Sequence, residues 1–227
     1  MAEKVKRLGP LPLVHDPGQC WTYGLSSDVA GRMIEVVSSQ SLDRYLTRCV
    51  FDPVGMKCTY FVVPAEQRAR LVPAHARDGD KLVVPPWSRD GGPRYLSGGG
   101  GLHTTVGDYS RFVQLLLGGC VSVVSRESIN SMTRNQIGDL TTPFGFKYGL
   151  SLGIATSEVS GISPLPVGGV GWYGIYSYVV LDVATSARRC AVLRQRSGSR
   201  DESPPVRQTR SGHRRRDGIV NHHLGSG

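Results

Sequence analysis

Apolar residues recur at helical spacing near the start of the chain. Val29, Met33 and Val37 lie four residues apart, which predicts a helix that buries one stripe of its surface. In that helix Asp28 would lie in the first turn, where the helix dipole favours a negative charge, and would point outward. The pattern thus predicts an amphipathic helix over residues 28–37.

The segment leading into this helix contains Tyr23. Ser26 or Ser27 carries a hydroxyl that can cap the first turn, so Tyr23 lies just outside the helix. A side chain in such a lead-in can project from rigid support into a cleft. A lone tyrosine is more often a core residue with a hydrogen-bonded hydroxyl, so a functional role for Tyr23 depends on the rest of the sequence.

Further helices are predicted downstream. One runs from Ser41 to about Cys49 and is stopped by Asp52 and Pro53. Another begins with Thr105 as its N-cap, and a short one spans residues 125–132. The apolar face of the Thr105 helix comprises Tyr109, Phe112, Val113, Leu116 and Leu117.

Strand patterns lie mostly in the second half of the chain. Residues 144–156 alternate between apolar and polar positions, and residues 167–181 contain another strand-like run. A short strand is also predicted at 81–84. Because helices come first and strands later, we predict an α+β fold with an antiparallel sheet rather than a repeating strand-helix-strand fold.

The charge of the chain is concentrated at one end. The formal net charge is +9, but residues 1–187 hold 17 Lys and Arg against 15 Asp and Glu, a balance of +2. Residues 188–227 hold 10 Arg against 3 acidic residues, a balance of +7. Residues 186–227 also lack apolar periodicity. We therefore predict a folded domain over residues 1–185 and a basic, disordered tail over 186–227.

Several classes of site find no support in the sequence. The five cysteines show no CxxC spacing, which predicts free thiols and neither a disulfide framework nor a zinc site. The glycine run at 98–101 lacks the Lys-Ser/Thr of a phosphate loop, so no nucleotide cofactor is predicted. No segment has the length of a signal peptide core or a membrane span. No metal, cofactor or membrane partner is expected, and the default location is cytoplasmic.

Four segments of the sequence resemble a known family. In chain order they are PLVHDPGQCWTYGLSSDVAGRMIEVVS, FDPVGMKCTYF, SGGGGLHTTVGDYSRF and GVGWYGIYSY. This series resembles the serine β-lactamase-related hydrolases, which include class C β-lactamases, penicillin-binding relatives and esterases, and it covers residues 10–182. The resemblance implies a β-lactamase/transpeptidase-like fold, an antiparallel sheet with flanking helices and a helical subdomain, truncated here at both ends.

The resemblance also implies roles for particular residues. Tyr23 falls on the tyrosine that exchanges protons with the nucleophile and the leaving group. Leu25 stands where the lactamases have an asparagine, which favours the esterase branch. Trp172, Tyr173 and Gly174 fall on the strand edge that aligns the substrate. The residue after them, Ile175, would supply a backbone N–H to the oxyanion.

The nucleophile motif of the family, Ser-x-x-Lys, is absent from the printed sequence, because no lysine has a serine three residues before it. Tyrosine alone is a poor substitute for an activated serine. We therefore expect a fragment of a β-lactamase-related serine hydrolase, esterase-like in its intact relatives, that does not itself hydrolyse esters or lactams.

Two other functions remain open. The retained cleft could bind a small ester or lactam, or serve as an interaction surface, without performing chemistry. Nucleic-acid binding would depend on arginines of the tail, including Arg188, Arg189 and the run Arg214 to Arg216. No aromatic residue is interleaved with them, so base stacking is not supported and a solvated tail is the simpler interpretation.

Overall fold

The computed structural model describes residues 1–73, 75–84, 95–119, 123–159, 165–174, 177–182 and 189–194. Within these residues, helices occupy most of the first part and an antiparallel sheet occupies the last part. This arrangement confirms the predicted α+β class. The described α-helices are α1 Ala2–Leu8, α2 Ser26–Ser38, α3 Leu42–Leu46, α4 Asp52–Val54, α5 Val106–Gln114 and α6 Arg126–Thr133.

The strands form a hairpin and a larger sheet. The hairpin pairs β1 Ala76–Asp78 with β2 Lys81–Val83, which confirms the short strand predicted there. The sheet has five strands in chain order, and every neighbouring pair is antiparallel. Its strands are β3 Lys147–Tyr148, β4 Gly153–Ile154, β5 Val170–Gly174, β6 Ser177–Asp182 and β7 Arg189–Arg194.

The prediction of one continuous strand over residues 144–156 was wrong. The segment forms the two short strands β3 and β4, and Ser151 between them has a positive φ of 74°. Gly149 also lies so close to α6 that a Cβ there would be 2.0 Å from the Met132 carbonyl oxygen. A turn and a close backbone approach therefore interrupt the alternating pattern.

The predicted boundary of the disordered tail also needs correction. Residues 189–194, which fall within it, form β7 and pair along their whole length with β6, from Arg189 opposite Asp182 to Arg194 opposite Ser177. Four consecutive apolar residues at 190–193 separate the two arginines. Backbone pairing with a neighbouring strand stabilises a segment that is too short to show periodicity by itself. Residues 195–227 lie outside the described part of the chain.

The second predicted helix does not stop at Asp52 and Pro53. The chain continues from α3 through a π-helical turn, Thr47–Phe51, into the short helix α4. Pro53 is the second residue of α4 and follows the π-helical turn directly. Gly55 then ends the helix in the left-handed region, with φ of 77°.

The helix predicted after Thr105 is confirmed as α5. The Thr105 hydroxyl accepts a hydrogen bond from the Asp108 backbone N–H at 3.2 Å. Val113 and Leu116 are buried against Val170 of the sheet, so this helix covers β5. The remaining predicted face residues pack around the same cluster: Tyr109, Phe112 and Leu117.

Helix α2 buries a different face from the one that the sequence predicted. Met33 and Val37, predicted to be buried, are 63% and 86% exposed, whereas Asp28, predicted to point outward, is 2% exposed. Gly31 is buried on the same side as Asp28. The amphipathic pattern failed because part of the buried face of α2 packs against a glycine-rich backbone, which the small residue Gly31 allows to approach closely.

That backbone is the glycine run that begins after Ser97. A Cβ on Gly98 would lie 2.0 Å from the Ser27 carbonyl oxygen, so only glycine fits at this position. A Cβ on Gly31 would lie 3.4 Å from the Gly98 Cα and 3.1 Å from the Leu42 Cδ2. Gly31 and Gly98 thus allow α2 to lie close to both the glycine run and α3.

Asp28 joins α2 to its neighbours by hydrogen bonds. Its carboxylate accepts from the Lys4 Nζ at 2.8 Å, the Ser97 Oγ at 2.6 Å and the Gly99 N–H at 3.4 Å. Burial acts to raise the pKa of Asp28, but these hydrogen bonds and the charge of Lys4 together hold the pKa below its ordinary value. The carboxylate is therefore a buried, ionised link between α1, α2 and the glycine run.

No described helix is long and apolar enough to cross a membrane.

The inverted faces of α2 predict unequal effects of two truncations. Leu42→Ala removes a side chain that is 2% exposed and packs against Gly31, so the free energy of unfolding should fall by about 2–5 kcal/mol. Val37→Ala, on the opposite face of α2, should change it by less than about 0.5 kcal/mol. Urea unfolding midpoints of the two variants measure the difference. Equal losses of unfolding free energy in the two variants would show that Val37 is buried.

The lowered pKa of Asp28 predicts a pH-dependent contribution to stability. That contribution is present above the unfolded-state pKa, about 3.9, and is lost as the pH falls through the lower folded-state pKa. Asp28→Asn should therefore destabilise the protein at pH 7, and the gap to the natural chain should narrow below about pH 4. Urea unfolding at pH 7 and pH 3 measures this gap. Asp139→Asn, at an exposed carboxylate, is the control, and a gap for Asp28→Asn that does not narrow would refute the assignment.

Candidate functional site

Tyr23 lies immediately before α2, as the sequence predicted, but the helix is capped differently. The N-cap residue is Leu25, whose carbonyl oxygen accepts from the Asp28 and Val29 N–H groups at 2.9 and 3.1 Å. Ser26 begins the helix, and no side chain caps it. The serines are not needed as caps because Asp28 and the glycine run already hold this end of α2. Leu25 itself is 43% exposed.

Trp172 lies in the middle of β5. Its backbone pairs with Val179 of β6, while Gly171 beside it pairs with Gly153 of β4. A Cβ on Gly153 would lie 3.1 Å from the Trp172 Cε3 and Cζ3 atoms, so the indole covers this glycine. The absence of a side chain at position 153 gives the ring its place on the sheet.

The structure brings the two predicted aromatic residues together. The rings of Tyr23 and Trp172 stack with their centroids 6.3 Å apart and their planes inclined by 11°. The lead-in to α2 and the centre of β5 therefore form one surface, although they are far apart in sequence. Tyr23 is 69% exposed, so much of this residue remains accessible to solvent.

Two further aromatic residues complete this surface, and sequence reasoning missed both. Trp21 lies within 6.2 Å of Tyr23, Tyr148 and Trp172, measured between ring centroids. Tyr148, on β3, meets Trp172 edge-on at 5.0 Å. We call these four residues the aromatic wall: Trp21, Tyr23, Tyr148 and Trp172.

Of these two residues, only Trp21 could have been assigned to the wall from its neighbours in the sequence. It is separated from Tyr23 by one residue, and in an extended segment residues two apart point to the same side. Tyr148 stands in an alternating run, but nothing in that run indicates which strand it would face. Its place depends on β3 lying two strands from β5, which is a property of the folded sheet.

The two tyrosines of the aromatic wall differ in their surroundings. Burial raises the pKa of the Tyr148 hydroxyl above its ordinary value, and the nearby Tyr23 phenol raises it further, because two phenolates would repel each other. Tyr148 is therefore a neutral phenol at physiological pH. It supports the wall, whereas the more exposed Tyr23 offers the accessible hydroxyl.

The remaining predicted residues are only partly described. The backbone of Tyr173 pairs with Tyr178, and that of Gly174 pairs with Ser177 at the end of the β5–β6 ladder. Ile175, predicted to donate a backbone N–H to an oxyanion, lies outside the described residues. Its role and those of Tyr173, Gly174 and Leu25 stay predictions.

The wall can offer apolar surface and one accessible phenol to a ligand. Its four side chains carry no charge when the tyrosines are protonated, so its contacts with a ligand would be mainly apolar and π-stacking. In the described part of the chain, no three His, Cys, Asp or Glu side chains are grouped so that they could hold a metal ion.

Solved structures of similar shape carry hydrolase and acyltransferase names. EstCE1, a hydrolase with promiscuous acyltransferase activity, matches 88% of this chain and 57% of its own with a TM-score of 0.72 and 18% identity. The unliganded simvastatin synthase LovD from Aspergillus terreus matches 87% of this chain and 56% of its own with a TM-score of 0.68 and 20% identity. At such identity the likeness shows the fold alone, which is β-lactamase/transpeptidase-like.

Proteins related in sequence include two that are named as esterases. Protein Rv1367c from Mycobacterium tuberculosis is 33% identical over 190 residues, which are 74% of this chain and 47% of that protein. Esterase EstB from Burkholderia gladioli is 26% identical over 196 residues, 78% of this chain and 50% of EstB. The lovastatin esterase of Penicillium rubens is 28% identical over 140 residues, 59% of this chain and 35% of that enzyme. The chain thus spans half or less of the length of these relatives.

The family profile named Beta-lactamase matches residues 2–202, which include the helices, the glycine run, the aromatic wall and β7. This match covers most of the 227 residues and takes in the four segments on which the resemblance was based. The chain therefore belongs to the Beta-lactamase family.

Proposed function

We propose that this chain provides the substrate-binding wall and the proton-transferring tyrosine of an esterase-type acyl-transfer site. The observation that carries the proposal is the stacking of Tyr23 on Trp172, because it joins the two sequence motifs whose roles the family resemblance implies. In this role the Tyr23 hydroxyl exchanges a proton with an attacking alcohol or a leaving group, and Trp172 aligns the acyl chain.

An ester fits this site better than a charged lactam. The wall is formed by four uncharged rings, and Leu25 replaces the amide that would contact a lactam side chain. A neutral ester can be desolvated against such a wall at little cost, whereas a carboxylate would lose hydration and find no positively charged partner among these five residues. Two of the relatives named above are esterases, which also favours this choice.

The 227-residue chain by itself is proposed to lack turnover. A nucleophilic serine and the lysine that activates it must share one pocket with Tyr23, and the printed sequence contains no Ser-x-x-Lys. Removing the nucleophile of a serine hydrolase typically lowers the rate by several orders of magnitude. The retained wall therefore supports ligand binding without chemistry, which is the second candidate function.

The first test is an assay of purified chain with 4-nitrophenyl butyrate and with a chromogenic cephalosporin. The hydrolysis rate should equal that of buffer for both substrates, and Tyr23→Phe should leave it unchanged. Protein-dependent turnover that Tyr23→Phe abolishes would show that the chain contains a complete site, and the proposed lack of activity would then be wrong.

The second test probes the wall without altering its aromatic residues. Gly153→Ala places a methyl group 3.1 Å from two atoms of the Trp172 ring, so the ring must shift and the affinity for butyl butyrate should fall about 3- to 10-fold, equivalent to about 1 kcal/mol of lost packing. Isothermal titration calorimetry measures the affinity. Gly100→Ala is the matched control, because a Cβ there meets no atom within 4 Å. Equal affinities of both variants and the natural chain would show that Trp172 is not part of the binding site.

A further inference from the structure

The Tyr23 ring has one supported face and one accessible face. Trp172 stacks on the first at 6.3 Å, and Trp21 lies beside the ring at 6.1 Å with its plane tilted by 54°. A tyrosine that is 69% exposed cannot have both faces of its ring covered, so at least one face is open to solvent. The most exposed part of the wall is thus a flat π-surface.

Neighbouring residues hold the Tyr23 ring in place. Trp172 is itself braced edge-on by Tyr148 at 5.0 Å, and Trp21 contacts both of these rings. The backbone of Tyr23 leads directly into α2, whose first turns are fixed by Asp28 and the glycine run. A ring supported in this way loses little conformational entropy when a second flat group stacks on it.

We propose that the open face of Tyr23 is a stacking subsite for an aryl group, so that the preferred ligands of this site are aryl esters. The inference rests on the proposed esterase-type function and narrows its substrate class. An aromatic ring prefers an offset stacked contact with another ring, and such pairs gain free energy beyond the apolar area they bury. A saturated ring of similar size buries comparable area but lacks the π-system.

The test compares phenyl butyrate with cyclohexyl butyrate, which share an acyl chain and differ in the aromaticity of the alcohol group. Calorimetric titration of the natural chain should show phenyl butyrate binding about 2- to 10-fold more tightly, the range expected for one aromatic pair. Tyr23→Phe should keep this preference, because it retains the ring and loses only the hydroxyl. Tyr23→Leu should abolish the preference, and its thermal transition should stay close to that of the natural chain because position 23 is exposed.

The outcomes separate the stacking subsite from the function on which it rests. If both esters bind the natural chain equally, or the cyclohexyl ester binds more tightly, the stacking subsite is refuted, but the proposal that the aromatic wall binds esters is not. If Tyr23→Leu keeps the preference for the phenyl ester, the aryl group stacks elsewhere and the proposal is again refuted. If neither ester binds the natural chain, the proposed function and the subsite both fail.

Discussion

The buried carboxylate of Asp28 is the interaction on which the arrangement of the candidate site depends. It receives hydrogen bonds from α1 and from the glycine run, and it lies in the first turn of the helix that Tyr23 precedes. A buried charge is tolerated only when it is paired and hydrogen-bonded, and Lys4, Ser97 and Gly99 together meet that condition. The orientation of α2, and hence the direction in which Tyr23 projects, follows from this set of contacts.

The sequence was sufficient for α5, where the governing interactions are local. Thr105 caps α5 and the apolar face of that helix is buried, because capping and helical periodicity act within a few residues. The roles of Tyr23 and Trp172 were inferred from the family resemblance, since neither position alone distinguishes a site residue from a core residue. The hydrogen-bonded ladders of β5, β6 and β7 depend on neighbouring strands, which explains why β7 was mistaken for part of a disordered tail.

The orientation of α2 could not be obtained from its periodicity. Periodicity identifies the apolar face of a helix but does not show what lies against the other face. Here a glycine-rich backbone packs on the side bearing Asp28 and Gly31, so the small and charged residues are buried while Met33 and Val37 face solvent. Tyr148 escaped prediction for a related reason: its partners, Trp21 and Trp172, come from two other parts of the fold.

The aromatic wall contains two tryptophans whose intrinsic fluorescence depends on the surroundings of the wall. Two of the three tryptophans, Trp21 and Trp172, lie in the wall with their ring centroids 6.2 Å apart, and the third, Trp87, is outside the described residues. Indole emission depends on the polarity around the ring, and two indoles this close exchange excitation energy. A ligand that binds to the wall and excludes water from either indole would therefore change the intrinsic fluorescence of the protein without an added label.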